Sequence, residues 1–116
     1  MAVVLVVIDG TRSDAIVQAN TPYLDRMMGA GAYTLTAQSL MPTITLPCHM
    51  SIFYSVPATR HGILSNDYHP PVHPLTGLYD QIKAKSKCSA THYGWDTLRD
   101  TAPMVAHLPQ IERPRD

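Results

Sequence analysis

The chain has 116 residues, with nine Lys plus Arg against nine Asp plus Glu, a formal net charge of +0, 45% apolar residues, ten Pro and six His. Size and apolar fraction fit one globular domain and exclude both a disordered segment and a multidomain protein. Balanced charge, with lysines clustered only at Lys83, Lys85 and Lys87, and a single Phe and a single Trp argue against a nucleic-acid reader or a protein drawn to an anionic membrane.

The longest apolar run, Ala2 to Ile8, is too short to span a bilayer and lacks the basic start and cleavage site of a secretory signal, so a cytoplasmic protein is the expectation. Val3 to Ile8 is apolar and mostly β-branched with no polar alternation, as in a strand buried on both faces. Asp9-Gly10 could turn a hairpin, but Thr11 to Ala15 lacks the alternation of a partner strand. The better expectation is a loop at the carboxyl end of a central parallel strand, where α/β proteins bind ligands. Asn20-Thr21-Pro22 opens a helix, Leu24, Met27 and Met28 share its face, and Gly29 and Gly31 end it, giving a helix over about Pro22 to Gly29.

Ala32 to Leu40 is predicted as a second strand, with Tyr33, Leu35 and Ala37 on one face and Thr34, Thr36 and Gln38 on the other. Met41 to Pro47 resists regular structure, and from Pro47 the residues Met50, Phe53 and Tyr54 recur with helical spacing up to Val56-Pro57, so Thr45 falls near a helix N-terminus. His69-Pro70-Pro71-Val72-His73-Pro74 is predicted as an extended loop, because its prolines exclude helix and central strand. Leu75 to Ala84 is predicted as a helix burying Leu78 and Ile82, and Cys88 to Tyr93 as a strand. The alternation predicts an α/β sheet with crossover helices over residues 1–95, followed by a Pro-rich irregular tail over 96–116.

Several residues could carry chemistry. Asp9, at the end of a buried strand, is placed to hold a divalent cation, or else is a turn aspartate bonding its own backbone. Thr45 combines a hydroxyl with the positive end of a helix, which favours an alkoxide or a bound phosphate, or else serves as a helix cap. Such a hydroxyl needs a base or a metal to become a nucleophile, and Asp9 could supply the metal. Cys48 and His49 offer a competing thiol nucleophile, but sequence neighbours do not face each other on a helix and the Cys-x5-Arg phosphatase loop fails at Tyr54. Cys48 and Cys88 are read as free thiols. Asp67, His69 and His73 form D-x-H-x3-H, but the intervening prolines remove the helical register that would align the histidines, which favours a solvated loop.

Taken together, V-V-I-D-G-T-R-S-D-A, N-T-P-Y-L-D-R-M-M-G-A-G-A, M-P-T-I-T-L-P-C-H and R-H-G-I-L-S-N, in this order between Val3 and Asn66, resemble the N-terminal half of the alkaline-phosphatase superfamily, in its type I phosphodiesterase/nucleotide pyrophosphatase branch. The resemblance implies a three-layer α-β-α sheet, incomplete in this chain. It implies hydrolysis of a small phosphate ester or phosphodiester through a phospho-threonine intermediate at a two-metal site, with two Zn2+ in the complete enzyme, or Mn2+ or Mg2+. By resemblance Asp9 is the first metal-ligating aspartate and Thr45 is the nucleophile and a zinc ligand. Asn66 is the asparagine whose amide donates to a phosphate oxygen, with the helix N-terminus helping to hold the non-bridging oxygens. Thr43 is structural, and His61-Gly62 is a turn that supports the loop to Asn66. Cys48 stands where many relatives have Asn, outside the matched catalytic set.

The D-H-G and D-x3-H patterns that complete the metal sites of relatives do not occur after Asn66, and His92, Asp96, Asp100 and His107 sit in no matching motif. Asp9 and Thr45 therefore leave a tetrahedral site unfinished. The expectation is the nucleophile half of a hydrolase: a fragment of a longer enzyme, a half-sheet that associates with another chain or with itself, or an inactive phosphate-binding or interaction module. Neither a nucleic-acid polymer nor a membrane is an expected partner.

Overall fold

The computed structural model describes residues 2–71 and 73–101, which divide into two compact units at Gln38/Ser39. Among the described residues the regular elements are all helical: α1 (Ser13–Gln18), α2 (Pro22–Ala30), α3 (Thr45–Tyr54), α4 (Ala58–His61), α5 (Leu78–Ala84) and a closing 3-10 turn, Asp96–Thr101.

In the first unit, α2 forms where the cap and glycine signals predict it. Pro22 opens the first turn, and the Gly31 N–H closes the helix on the Met27 carbonyl at 2.9 Å. Leu24 and Met28 are half-buried while Met27 is exposed, so the apolar face is narrower than the spacing suggests. α1 forms within the stretch expected to be loop, with Arg12 and Asp14 bridged at 2.6 Å across its start. Neither helix holds a buried residue.

The strands expected at Val3 to Ile8, Ala32 to Leu40 and Cys88 to Tyr93 do not form among the described residues. A strand exists through hydrogen bonds to a neighbour, and a β-branched run by itself supplies side chains but no ladder. The run that reads as the most deeply buried element is instead solvent-exposed, from 42% at Val7 to 84% at Val3.

The core of the second unit is built on α3. Leu46, Met50 and Ile63 are fully buried together, with Tyr54, Tyr68 and Leu98 packed against them. Leu46 and Met50 lie four positions apart on one helix face, so both meet Ile63, which arrives just after α4. Ser55, in the left-handed region at φ 52°, ends α3, and Gly62 ends α4 in the same region at φ 80°. α5 starts later than predicted and turns its inward face differently: Tyr79 is buried, Ile82 half-buried and Leu78 exposed. Gly77 precedes it, its N–H donating to Asp80 Oδ2 at 2.8 Å, and the Tyr79 ring lies 5.5 Å from that of Phe53. The start of the expected irregular tail is ordered as the 3-10 turn, where Thr101 is buried and its hydroxyl donates to the Leu98 carbonyl at 2.6 Å. The rest of that tail, with His107, lies outside the described residues.

Candidate active site

Thr45 is the first helical residue of α3, and Ile44 occupies the cap position. Thr45 is thus not the cap residue. Ile44 has no side-chain oxygen to offer the first turn, whose donors must be satisfied in other ways. Pro47 has no N–H to satisfy. Cys48 N–H reaches the Ile44 carbonyl at 3.1 Å, and Leu46 N–H donates to Asn66 Oδ1 at 3.1 Å. Because a backbone N–H requires an acceptor, this bond fixes the Asn66 amide with its oxygen on the helix and its Nδ2 donors directed elsewhere.

That arrangement corrects one expectation. The start of α3 is not a cradle of open N–H groups, since Pro47 has none and that of Leu46 is engaged. The positive end of the helix is still there. Asn66 is exposed and Thr45 half-buried, so both can meet a solute.

Two histidines brace α3. His49 Nδ1 donates to the Thr45 carbonyl at 2.8 Å, one helical turn back, and the ring is buried with Phe53 at a 6.2 Å centroid separation. His61, 1% exposed, accepts the Ile63 N–H on Nδ1 at 3.1 Å and meets Ser51 Oγ with Nε2 at 3.0 Å. A ring accepting on Nδ1 carries its proton on Nε2 and is neutral. Burial, helped by His69, pushes the His61 pKa below its ordinary 6.5, while a hydrogen bond to the Pro47 carbonyl opposes the shift. Sequence reasoning did not reach Ser51. Its buried hydroxyl ten residues upstream of His61 becomes visible only once α3 and α4 are packed.

The Cys48 thiol and the His49 ring are not paired with each other. The thiol donates to the Pro42 carbonyl at 3.5 Å and lies 3.4 Å from Ser39 Oγ, while the His49 ring is held on Thr45. An open cleft of about 400 Å³ adjoins Asn66, lined by Tyr68, Asp96, Arg99 and Asp100 among others. Arg99 is paired with Asp100 at 3.3 Å, so the lining favours no second anion site. Burial first, and Asp100 second, push the Tyr68 phenol above its ordinary value.

Asp9 lies in the first unit, exposed, just before Gly10 in the left-handed region at φ 71°. Thr45 and Asn66 lie in the second. Among the described residues there is no group of three or more His, Cys, Asp or Glu side chains able to hold a metal ion, and Asp67, His69 and His73 do not form one. The donors described do not complete the tetrahedral set that zinc takes. No helix among the described residues is long and apolar enough to cross a membrane.

The family model for type I phosphodiesterase / nucleotide pyrophosphatase matches residues 3–108, and the chain belongs to that family. Its members are hydrolases of phosphoric esters, typically metal-dependent, with an alkaline-phosphatase-like α/β fold. The sheet of that fold is not formed among the described residues. No curated protein and no solved structure matches the chain.

Proposed function

We propose that this chain carries the nucleophile part of a phosphodiesterase or phosphatase, with Thr45 as the attacking group and Asn66 as a donor to a phosphate oxygen. The observation that supports it best is the bond from Leu46 N–H to Asn66 Oδ1, which holds the Asn66 amide beside the residue that follows Thr45. In the first step the Thr45 Oγ–P bond forms as the ester P–O bond breaks, and the hydroxyl proton leaves with the alcohol product. Water then cleaves the phospho-threonine, returning a proton to Thr45 and releasing the phosphate or phosphomonoester. The Asn66 Nδ2 donors stabilise charge on a non-bridging oxygen while that charge develops. Asp9 is the proposed carboxylate donor to a divalent cation. Because the described donors do not complete such a site, no step is assigned to a metal.

The test is turnover of bis(4-nitrophenyl) phosphate by the full chain with Zn2+, Mn2+ or Mg2+ supplied, together with a mass-spectrometric search for phosphate on the peptide holding Thr45. Turnover lost in Thr45→Ala, with a trapped phospho-threonine, supports the nucleophile role. Turnover unchanged in Thr45→Ala refutes it. Saturable binding of inorganic phosphate without turnover would leave an inactive phosphate-binding module of the same family.

A further inference from the structure

We propose that His61 is a positioning residue that fastens the loop bearing Asn66 to the helix bearing Thr45. The inference rests on the roles proposed above for Thr45 and Asn66, and its own warrant is the hydrogen bonding of the buried ring.

The loop from Gly62 to Asn66 is tied to α3 at three levels. At its root, the His61 ring meets Ser51 Oγ of α3 at 3.0 Å. At its middle, Ile63 is fully buried against Leu46 and Met50. At its tip, Asn66 Oδ1 takes the Leu46 N–H at 3.1 Å. His61 joins the first two levels, because its Nδ1 also accepts the N–H of Ile63 at 3.1 Å. The ring therefore bridges helix and loop with one nitrogen on each. Removing it strands the N–H of a buried residue, and an unsatisfied buried donor is destabilising. The loop recovers that cost by moving Ile63 toward water, which carries Asn66 off the helix. Gly62, at φ 80°, sets the direction in which the loop leaves the ring.

The experiment uses the full chain labelled with 15N and two variants. His61→Phe keeps a ring of similar bulk and removes both hydrogen bonds, and His61→Asn keeps an oxygen near the Nδ1 position to accept the Ile63 N–H. Amide exchange of Leu46 and the side-chain amide resonances of Asn66 are the readouts, with the amides of α5 as the reference. In His61→Phe, Leu46 exchange is expected to rise about fivefold over the reference, as for a lost helix cap. The Asn66 resonances are expected to move toward those of a free amide, and His61→Asn to restore part of both effects. Uniform acceleration over α3 and α5, or an unchanged Leu46 and Asn66, overturns the proposal. Should His61→Phe not fold, Ser51→Ala decides the matter in the same way, with an expected rise of about twofold. Titration with inorganic phosphate distinguishes the underlying roles: no response at Thr45 or Asn66 in the unmodified chain removes the phosphate reading, while the exchange data still decide the role of His61.

Discussion

Asn66 accepts the backbone N–H of Leu46 at 3.1 Å across twenty residues of sequence, and so caps a helix whose own cap residue, Ile44, has no side-chain oxygen. The proposed role of Asn66 divides the amide in two: its oxygen caps α3, and its nitrogen would donate to substrate. Asn66→Asp keeps an acceptor and adds negative charge near the positive end of the helix, so stability should hold or rise by a few tenths of a kcal/mol. Asn66→Ala should lose about 1 kcal/mol. Both variants should lose inorganic phosphate binding. Urea unfolding alongside phosphate titration checks the pair, and an Asn66→Asp protein that binds phosphate normally would remove the donor role.

His61 makes stability depend on pH in a defined direction. Its pKa is lowered in the folded state, so below its ordinary value of 6.5 the unfolded chain takes up a proton that the folded chain resists. The contribution is fully present above pH 6.5 and is lost as the pH falls from there toward the folded pKa, with a slope of at most about 1.4 kcal/mol per pH unit for one group. Thermal unfolding between pH 8 and pH 5 should show Tm falling through this window. The fall should be smaller in His61→Asn, which has no ring to protonate.

Gly77 is a steric requirement at the junction of α5 and the end of α3. A Cβ there would sit 2.9 Å from Tyr54 Cδ1 and 3.0 Å from the Phe53 carbonyl oxygen. The backbone cannot yield as a flexible side chain would, so Gly77→Ala should destabilise the second unit by roughly 1–3 kcal/mol, the usual cost of overpacking. Gly94, with open space around its Cα, is the control: Gly94→Ala should change stability by less than about 0.5 kcal/mol in the same denaturation series.

The apolar run at Val3 to Ile8 should govern solution behaviour. It combines high β propensity with no charge and is exposed along its length, a pattern that invites strand addition between chains. Val6→Lys should lower the concentration-dependent light scattering of the purified chain and leave the Tm of the second unit unchanged. Equal scattering in both proteins would show that this run does not drive association.

The sequence by itself was enough to reach the family. The order of the blocks around Asp9, Thr45 and Asn66 carried the family, helical spacing from Pro47 put Thr45 near the N-terminus of α3, and proline and glycine signals marked α2, because these are local effects of a few neighbouring residues. The apolar run Val3 to Ile8 carried the composition of a strand but not the strand, since pairing depends on partners elsewhere. α1 and the 3-10 turn were missed because short helices have weak periodicity. Only the tertiary structure decided that Asn66, not Thr45, caps α3, that Leu46 N–H is already engaged, and that a neutral His61 joins Ser51 to Ile63. Each of these depends on groups far apart in sequence meeting within hydrogen-bond distance, and hydrophobic packing of Leu46, Met50 and Ile63 is what brings them there.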